Sequence, residues 1–230
     1  MGRILFLIGI GLGGAAVLIS LGVWQVQRLG WKQAVLADIT ARISADSVAL
    51  PVDPDPVADK YLPVAVTGTY DDQVIYVLVS QKQIGAGYRV IAPMQTDAGR
   101  RVLIDRGFVR LEDRDAVTAP AGKVTVTGNL HWPQEIDSFT PAPDLKENIW
   151  FARDLPAMAQ ALNADPLLVV ARETSLPDGP VTPLPVDTAG IPNDHLQYAI
   201  TWFSLALIWA AMTLVFALRG SRRRPERPNL

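Results

Sequence analysis

Residues 4–26 read ILFLIGIGLGGAAVLISLGVWQV, and residues 196–218 read LQYAITWFSLALIWAAMTLVFAL. Each run contains 23 residues and no charged side chain. A helix rises about 1.5 Å per residue, so each run is long enough to cross the roughly 30 Å hydrocarbon core of a bilayer. The two runs predict transmembrane helices at residues 4–26 and 195–218.

A cleaved signal peptide is the competing interpretation of the first run. Its apolar stretch is longer than the usual core of a signal peptide, and no small-x-small cleavage site follows it. Trp24, Gln25 and Arg28 occupy that region instead. We therefore interpret the first run as a membrane helix.

The distribution of charged residues along the chain predicts its orientation in the membrane. Residues 27–194 contain 15 Lys and Arg against 22 Asp and Glu, a net charge of −7. Basic residues lie before the first run, at Arg3, and after the second run, at Arg219, Arg222, Arg223, Arg224 and Arg227. Because basic flanks stay in the cytoplasm, we expect cytoplasmic segments at residues 1–3 and 219–230. In a bacterium, residues 27–194 would then form the periplasmic domain of a multi-pass inner-membrane protein.

The segment between the membrane helices is predicted to be mainly β. Helical spacing predicts a juxtamembrane helix over residues 31–43 and a short helix over 155–162, and the Pro- and Gly-rich residues 177–192 predict an extended connector. Strand-sized apolar or alternating stretches occur at residues 62–70, 74–80, 88–94, 101–109, 124–130 and 167–171. We predict a small antiparallel barrel or sandwich with short helices.

The composition excludes several kinds of chemistry. The chain has no cysteine, which removes disulfides, thiolate metal sites and thiol nucleophiles. Its serines and lysines lie outside the sequence contexts of known nucleophile and phosphate-binding motifs. Acidic pairs such as Asp71-Asp72 have no histidine at metal-ligand spacing. We expect a protein that is not an enzyme and does not bind nucleic acid.

His195, one of only two histidines, stands directly before the second apolar run. Asp194 followed by Gln197 is similar to a capping box, which would start the helix here and place the imidazole in its first turn. The positive end of the helix dipole disfavours an imidazolium and keeps a neutral nitrogen available to a metal. Hydrogen bonding at the bilayer surface is the alternative role for this side chain.

Aromatic residues accompany this histidine on both helices. Tyr198 and Trp202 follow it at i+3 and i+7, while Trp24, Arg28 and Trp31 are spaced i, i+4, i+7 on the first helix. An axial ligand, flat apolar walls and a guanidinium that can pair with a carboxylate are the groups that a haem requires. The alternative is that these aromatic residues and the arginine only anchor the helices at the bilayer boundary.

Two further features carry their own interpretations. His131 follows a predicted strand and precedes Trp132-Pro133, so we interpret it as part of a surface turn. Gly9 and Gly13 form a small-xxx-small pair that could allow a partner helix to approach closely. Glycines are also simply tolerated in lipid, and the sequence does not decide between these two explanations.

Five motifs are distributed over nearly the whole chain. They are Trp24-Gln25-x-x-Arg28-x-x-Trp31-Lys32, Asp105-Arg106-Gly107-Phe108-Val109, Phe139-Thr140-Pro141, Asn148-Ile149-Trp150-Phe151-Ala152-Arg153-Asp154-Leu155 and Asn193-Asp194-His195-Leu196-Gln197-Tyr198-Ala199-x-Thr201-Trp202-Phe203. Together they resemble the Surfeit-locus family of cytochrome c oxidase assembly factors, as a bacterial member. One departure is Asp105-Arg106-Gly107-Phe108-Val109-Arg110, where the family often has Asn-Arg-Gly-Trp-Val-Pro.

The resemblance implies a non-catalytic haem A chaperone that helps to place haem A into subunit I of the oxidase. The haem iron would be its only metal, and its partners would be subunit I, the haem A synthase and the lipid bilayer. The alternative is a haem-free structural adaptor that stabilises subunit I or the haem A synthase. The resemblance implies His195 as the axial ligand, with further candidates for the haem pocket at Trp24, Gln25, Arg28, Tyr198 and Trp202.

Overall fold

The computed structural model describes residues 2–81 and 84–222 of the 230-residue chain. The chain divides into two compact units. Met1–Asp38 and Ala189–Leu230 form a helical unit, and Ile39–Thr188 form a sheet unit. The described residues contain three α-helices, which are α1 at Gly2–Ile43, α2 at Leu155–Ala161 and α3 at His195–Arg222.

The terminal helices α1 and α3 are both long and apolar enough to cross a membrane. Most of their large apolar side chains are exposed, including Phe6, Leu12, Val17, Leu207 and Phe216. Such a surface is unfavourable in water but suits contact with lipid, where a helix satisfies its own backbone hydrogen bonds. The two helices are therefore consistent with a membrane protein.

Helix α1 continues without interruption through residues 31–43, which the sequence predicted as a separate juxtamembrane helix. The intervening residues contain no proline, and Gly30 costs only about 1 kcal/mol relative to alanine within a helix. At the end of α1, the carbonyl of Ile43 accepts hydrogen bonds from Asn129 Nδ2 at 3.0 Å and from Arg172 Nη1 at 3.3 Å. These bonds satisfy an acceptor that the helix itself leaves unpaired.

Helices α1 and α3 pack against each other at glycines of α1. A Cβ added at Gly14 would lie 2.5 Å from the indole of Trp209, and one added at Gly22 would lie 2.7 Å from the ring of Phe203. Trp209 Nε1 donates a hydrogen bond of 3.0 Å to the carbonyl of Gly11. The missing side chains thus make room for aromatic rings, and the indole is held by a polar contact within an apolar helix pair.

Gly9 and Gly13, which the sequence suggested as a close-approach pair, are not used in this helix contact. A Cβ added at either residue would meet nothing within 4 Å. The close approach uses the neighbouring glycines because these lie on the side of α1 that faces α3.

The described part of the sheet unit contains eight strands in the order β1-β2-β6-β8-β5-β4-β3-β7. The six strands predicted from the sequence are present with ends shifted by at most three residues, and α2 forms where the short helix was predicted. Two strands of two residues each, β1 and β7, were not predicted, nor was a 3-10 helix at Leu111–Ala116. The strands are β1 Val48–Ala49, β2 Pro63–Tyr70, β3 Ile75–Gln81, β4 Gly85–Thr96, β5 Arg101–Arg110, β6 Lys123–His131, β7 Ile149–Trp150 and β8 Leu168–Thr174.

The predicted antiparallel barrel or sandwich is correct only in its strand content. The sheet is mixed, because β1 pairs with β2, β3 with β7, and β5 with β8 in parallel. An additional antiparallel pairing of β2 with β4 at Gly68–Thr96 curls the sheet. In the described residues this pairing links β2, β6, β8, β5 and β4 in a ring, while β1, β3 and β7 lie outside that ring.

Apolar side chains are buried on both faces of this sheet. Successive residues of β5 alternate between two clusters, with Ile104 in one and Leu103 in the other. Helix α2 covers the second cluster, into which it places the fully buried Met158. Asp154 caps this helix by accepting a hydrogen bond of 3.2 Å from the Ala157 N–H.

The connector predicted at residues 177–192 is attached to the sheet. Thr182 and Phe108 exchange two backbone hydrogen bonds of 2.7 and 2.8 Å. Gly107 has a φ of +126°, and a Cβ there would collide with the carbonyl of Thr182. The glycine of the Asp-Arg-Gly motif is therefore required both by its backbone conformation and by the close approach of the connector.

Candidate functional site

His195 and Gln25 meet where α3 begins. His195 is the first residue of α3, and the Tyr198 N–H donates to the carbonyl of Asp194 at 3.1 Å, so the helix starts where the sequence predicted. His195 Nδ1 lies 2.8 Å from Gln25 Oε1. Gln25 is buried, with a relative exposure of only 8%. One helix thus supplies the imidazole and the other supplies its buried partner.

This hydrogen bond determines which ring nitrogen is available. An amide oxygen can only accept, so Nδ1 of His195 donates this hydrogen bond and Nε2 is the ring nitrogen that does not take part in it. Metal-bound histidines characteristically donate their second ring N–H to an oxygen, which fixes the tautomer and the ring orientation. In this arrangement Nε2 is the ring nitrogen that could bind a metal ion.

The other predicted pocket residues lie on the surface of the same helix pair. Trp24 and Tyr198 are 51% and 55% exposed, and Trp202 is partly buried. The Arg28 guanidinium lies 4.4 Å from the centroid of the Trp31 ring, in a cation–π contact. Among the six predicted residues the structure joins Gln25 to His195 directly, while Trp24, Arg28 and Tyr198 are exposed and Trp202 is partly buried.

These groups fit a haem on chemical grounds. The His195 imidazole could serve as an axial ligand, the aromatic rings are flat apolar surfaces, and Arg28 is a cation able to pair with a propionate. Exposure is appropriate for this purpose, since a planar ligand needs a surface that the protein itself does not cover.

A buried ionic cluster, which the sequence reasoning missed, lies in the sheet unit. Asp105 is completely buried, and its Oδ2 lies 2.6 Å from Arg89 Nη1 and 3.2 Å from Arg153 Nη1. Arg153 also pairs with Glu135, whose Oε2 accepts from the Arg153 backbone N–H at 2.9 Å. The available signal was a carboxylate directly after the apolar run Val102-Leu103-Ile104.

Burial and pairing compete in this cluster. Burial raises the pKa of Asp105 above its usual range, although the charges of Arg89 and Arg153 oppose that rise. Burial also disfavours the charged form of Glu135, but hydrogen bonds and charge from Arg153 outweigh it and lower the pKa of Glu135. Because its charges are internally paired, we interpret the cluster as a structural element that connects β4, β5 and the segment before α2.

His131 was wrongly interpreted as part of a surface turn. It is the last residue of β6, and its ring stacks on Tyr61 with centroids 5.7 Å apart. Its Nδ1 is buried without a hydrogen-bond partner among the described residues. Burial, followed by the charges of Arg153 and Lys60, lowers the pKa of His131 to about 4. The following Trp-Pro pair suggested a turn, but the strand pairing with β8 extends to His131.

The chain therefore has two membrane-type helices and, between them in the sequence, a mainly β unit. Comparison with known proteins identifies its family: residues 12–207 match the SURF1 family. The chain is 32% identical to surfeit locus protein 1 of Xenopus tropicalis over 89% of its own length and 72% of that protein. It is 31% identical to the human surfeit locus protein 1, covering 88% of this chain and 74% of the human protein.

The match to a bacterial relative covers a larger share of that relative's length. The SURF1-like protein of Rickettsia felis is 28% identical over 87% of this chain and 92% of that protein. The chain belongs to the SURF1 family. The Surfeit-locus resemblance found in the sequence motifs is thereby confirmed.

Proposed function

We propose that this protein binds haem A through His195 and helps to insert it into subunit I of cytochrome c oxidase. Membership of the SURF1 family implies a role in assembly of the oxidase. The observation that carries the finer proposal is the 2.8 Å hydrogen bond between His195 Nδ1 and Gln25 Oε1. This bond uses Nδ1, so Nε2 is the ring nitrogen that would bind the iron, at the point where α3 begins.

Each part of the helix pair has a separate task in this proposal. His195 holds the iron of the haem cargo, and Gln25 fixes the orientation of the imidazole. Trp24, Tyr198 and Trp202 provide flat surfaces for the ring, and Arg28 pairs with a propionate at the aqueous boundary. Because haem A is large and apolar, a site on membrane helices keeps it out of water while it passes to its acceptor.

The location follows from the same proposal. The protein would lie in the bacterial inner membrane with both ends of the chain in the cytoplasm and the sheet unit in the periplasm. The basic flanks and the acidic central segment support this orientation. Subunit I and the haem A synthase, its expected partners, would then be reached within the same membrane.

A haem-free adaptor is the second candidate, and an exposed apolar surface favours it. Phe139 and Leu145 are 90% and 73% exposed, and Ile136 and Phe151 lie on the same segment between β6 and α2 with 54% and 40% exposed. Exposed apolar patches of this kind commonly mark sites of protein contact. An adaptor could use this segment to hold subunit I or the haem A synthase.

Complementation separates the two candidates. Cells that lack this protein would receive the wild type, His195→Ala or Phe139→Ser, and the haem A content of the purified oxidase would be measured. The haem proposal predicts that His195→Ala gives an oxidase depleted of haem A while Phe139→Ser is close to wild type. The opposite pattern, with full haem A in the His195 variant, would favour the adaptor.

A further inference from the structure

A groove runs along the surface of the helical unit beside Trp209. It has a volume of about 350 Å³ and is lined by Gly13, Gly14, Val17, Leu18 and Trp209. None of these residues is charged, and the two glycines have no side chain. The indole forms one wall and is held in place by its hydrogen bond to the Gly11 carbonyl.

The groove lies on the same side of α1 as the predicted haem surface. Val17 and Trp24 are seven residues apart, so they project from one face of the helix two turns from each other. Along the helix axis, at 1.5 Å per residue, Leu18 is about 10 Å from Gln25 and Gly13 about 18 Å from it. Because Gln25 contacts His195, the groove starts roughly two turns from the imidazole and leads away from it into the apolar part of the helix pair.

We infer that this groove receives the isoprenoid tail of a haem whose iron is bound at His195. The inference rests on the proposed function and adds selectivity for a haem that carries a long apolar tail. A volume of 350 Å³ is near the lower end of the roughly 300–1,000 Å³ found for small-molecule pockets, which suits a hydrocarbon chain better than a tetrapyrrole ring. A farnesyl chain extends over several helical turns, which matches the span from the imidazole to Trp209.

The expected selectivity comes from packing. In the absence of haem the groove is covered by lipid or detergent chains, which are as apolar as the tail, so the hydrophobic effect contributes little to binding of the tail. Close van der Waals contact has to provide the preference for a tailed haem. The rigid indole and the flat glycine surface offer such contact. Filling the groove should therefore weaken binding of a tailed haem and leave binding of a tail-less haem unchanged.

Gly13 and Gly9 provide a matched pair of variants for the test. A Cβ at either position would meet nothing within 4 Å, but only Gly13 lines the groove. Leucine at either position is a better helix former than glycine, so both variants should fold. The full-length protein would be purified in detergent as wild type, Gly13→Leu and Gly9→Leu, and titrated with haem A and with haem B while the visible spectrum is recorded.

The inference predicts that the wild type binds haem A more tightly than haem B. Gly13→Leu should weaken haem A binding on the order of tenfold, as expected for loss of close packing in an apolar pocket, and leave haem B binding unchanged. Gly9→Leu should change neither affinity. Equal affinities of the wild type for the two haems, or an equal loss of both in Gly13→Leu, would overturn the tail groove while leaving haem binding at His195 intact. Failure of the wild type to bind either haem would overturn the proposed function and this inference together.

Discussion

Gln25 and His195 are 170 residues apart in the chain, and a 2.8 Å hydrogen bond joins them at one end of the α1–α3 helix pair. The sequence placed both among the candidates for a haem pocket, but it did not assign the amide its specific role. The structure makes Gln25 the orienting partner of the imidazole.

Gln25→Leu should weaken haem A binding. Loss of a group that orients a metal-bound histidine typically lowers metal affinity by about 10- to 100-fold, and we expect a loss in this range. Spectral titration of the detergent-purified variant measures it. Gln27→Leu is the control, since Gln27 lies on the exposed side of the same helix. An unchanged affinity in Gln25→Leu would remove the amide from the account of the site.

Asp105→Asn should strongly destabilise the protein. Removing one partner of a buried ion pair leaves Arg89 and Arg153 without their shared carboxylate, which typically costs about 3–5 kcal/mol. Thermal or denaturant unfolding of the full-length protein in detergent measures the change. The control is Asp97→Asn, which breaks an exposed pair with Lys123 and should cost about 0–1 kcal/mol. Similar effects of the two substitutions would contradict a structural role for the buried cluster.

His131 should make the stability depend on pH. Its folded pKa of about 4 lies below the ordinary value, so the unfolded state binds more protons between these two values and stability falls as the pH drops through about 6.5 towards 4. The loss should be on the order of 2–3 kcal/mol after allowance for partial exposure of the ring.

His131→Gln should flatten this part of the stability curve. The lowered pKa of Glu135 also makes the protein less stable as the pH falls at the acidic end. The contribution of His131 is therefore read from the difference in unfolding free energy between variant and wild type at each pH. An identical slope in His131→Gln and wild type would mean that His131 is not the group that titrates.

Single cysteines test the proposed orientation, because the natural chain contains none. Val57 is 83% exposed in the sheet unit, so Val57→Cys should react with a membrane-impermeant maleimide in intact spheroplasts. Asn229→Cys, beside the basic C-terminal residues, should react only after lysis. Labelling of Asn229→Cys in intact spheroplasts would reverse the orientation that the charges predict.

The parts of the fold that follow from local pattern were predicted from the sequence. The apolar runs identified α1 and α3, and alternation identified β2 to β6 and β8 within three residues at each end. The two-residue strands β1 and β7 are too short for any periodic pattern. The parallel pairing of β5 with β8 joins strands that are distant in the chain, and no local pattern encodes which strand becomes a neighbour.

The candidate site shows the same division. His195 was recognisable because it is a rare residue at the start of an apolar run. By contrast, the glycines that contact α3 differ from Gly9 and Gly13 only in their rotation around α1, which depends on the partner helix. The role of Asp105 was hidden because its partners, Arg89 and Arg153, come from separate parts of the chain and meet only in the folded sheet unit.

The central claim, that His195 binds haem A, is tested most directly by the visible spectrum of the detergent-purified protein. Wild type, His195→Ala and His131→Gln would be expressed with haem A synthesis enabled, and near-ultraviolet circular dichroism would establish that each is folded. We expect a haem A spectrum in the wild type and in His131→Gln, and its loss or a shift in His195→Ala. A colourless wild type, or an unchanged spectrum in the His195 variant, would contradict the claim.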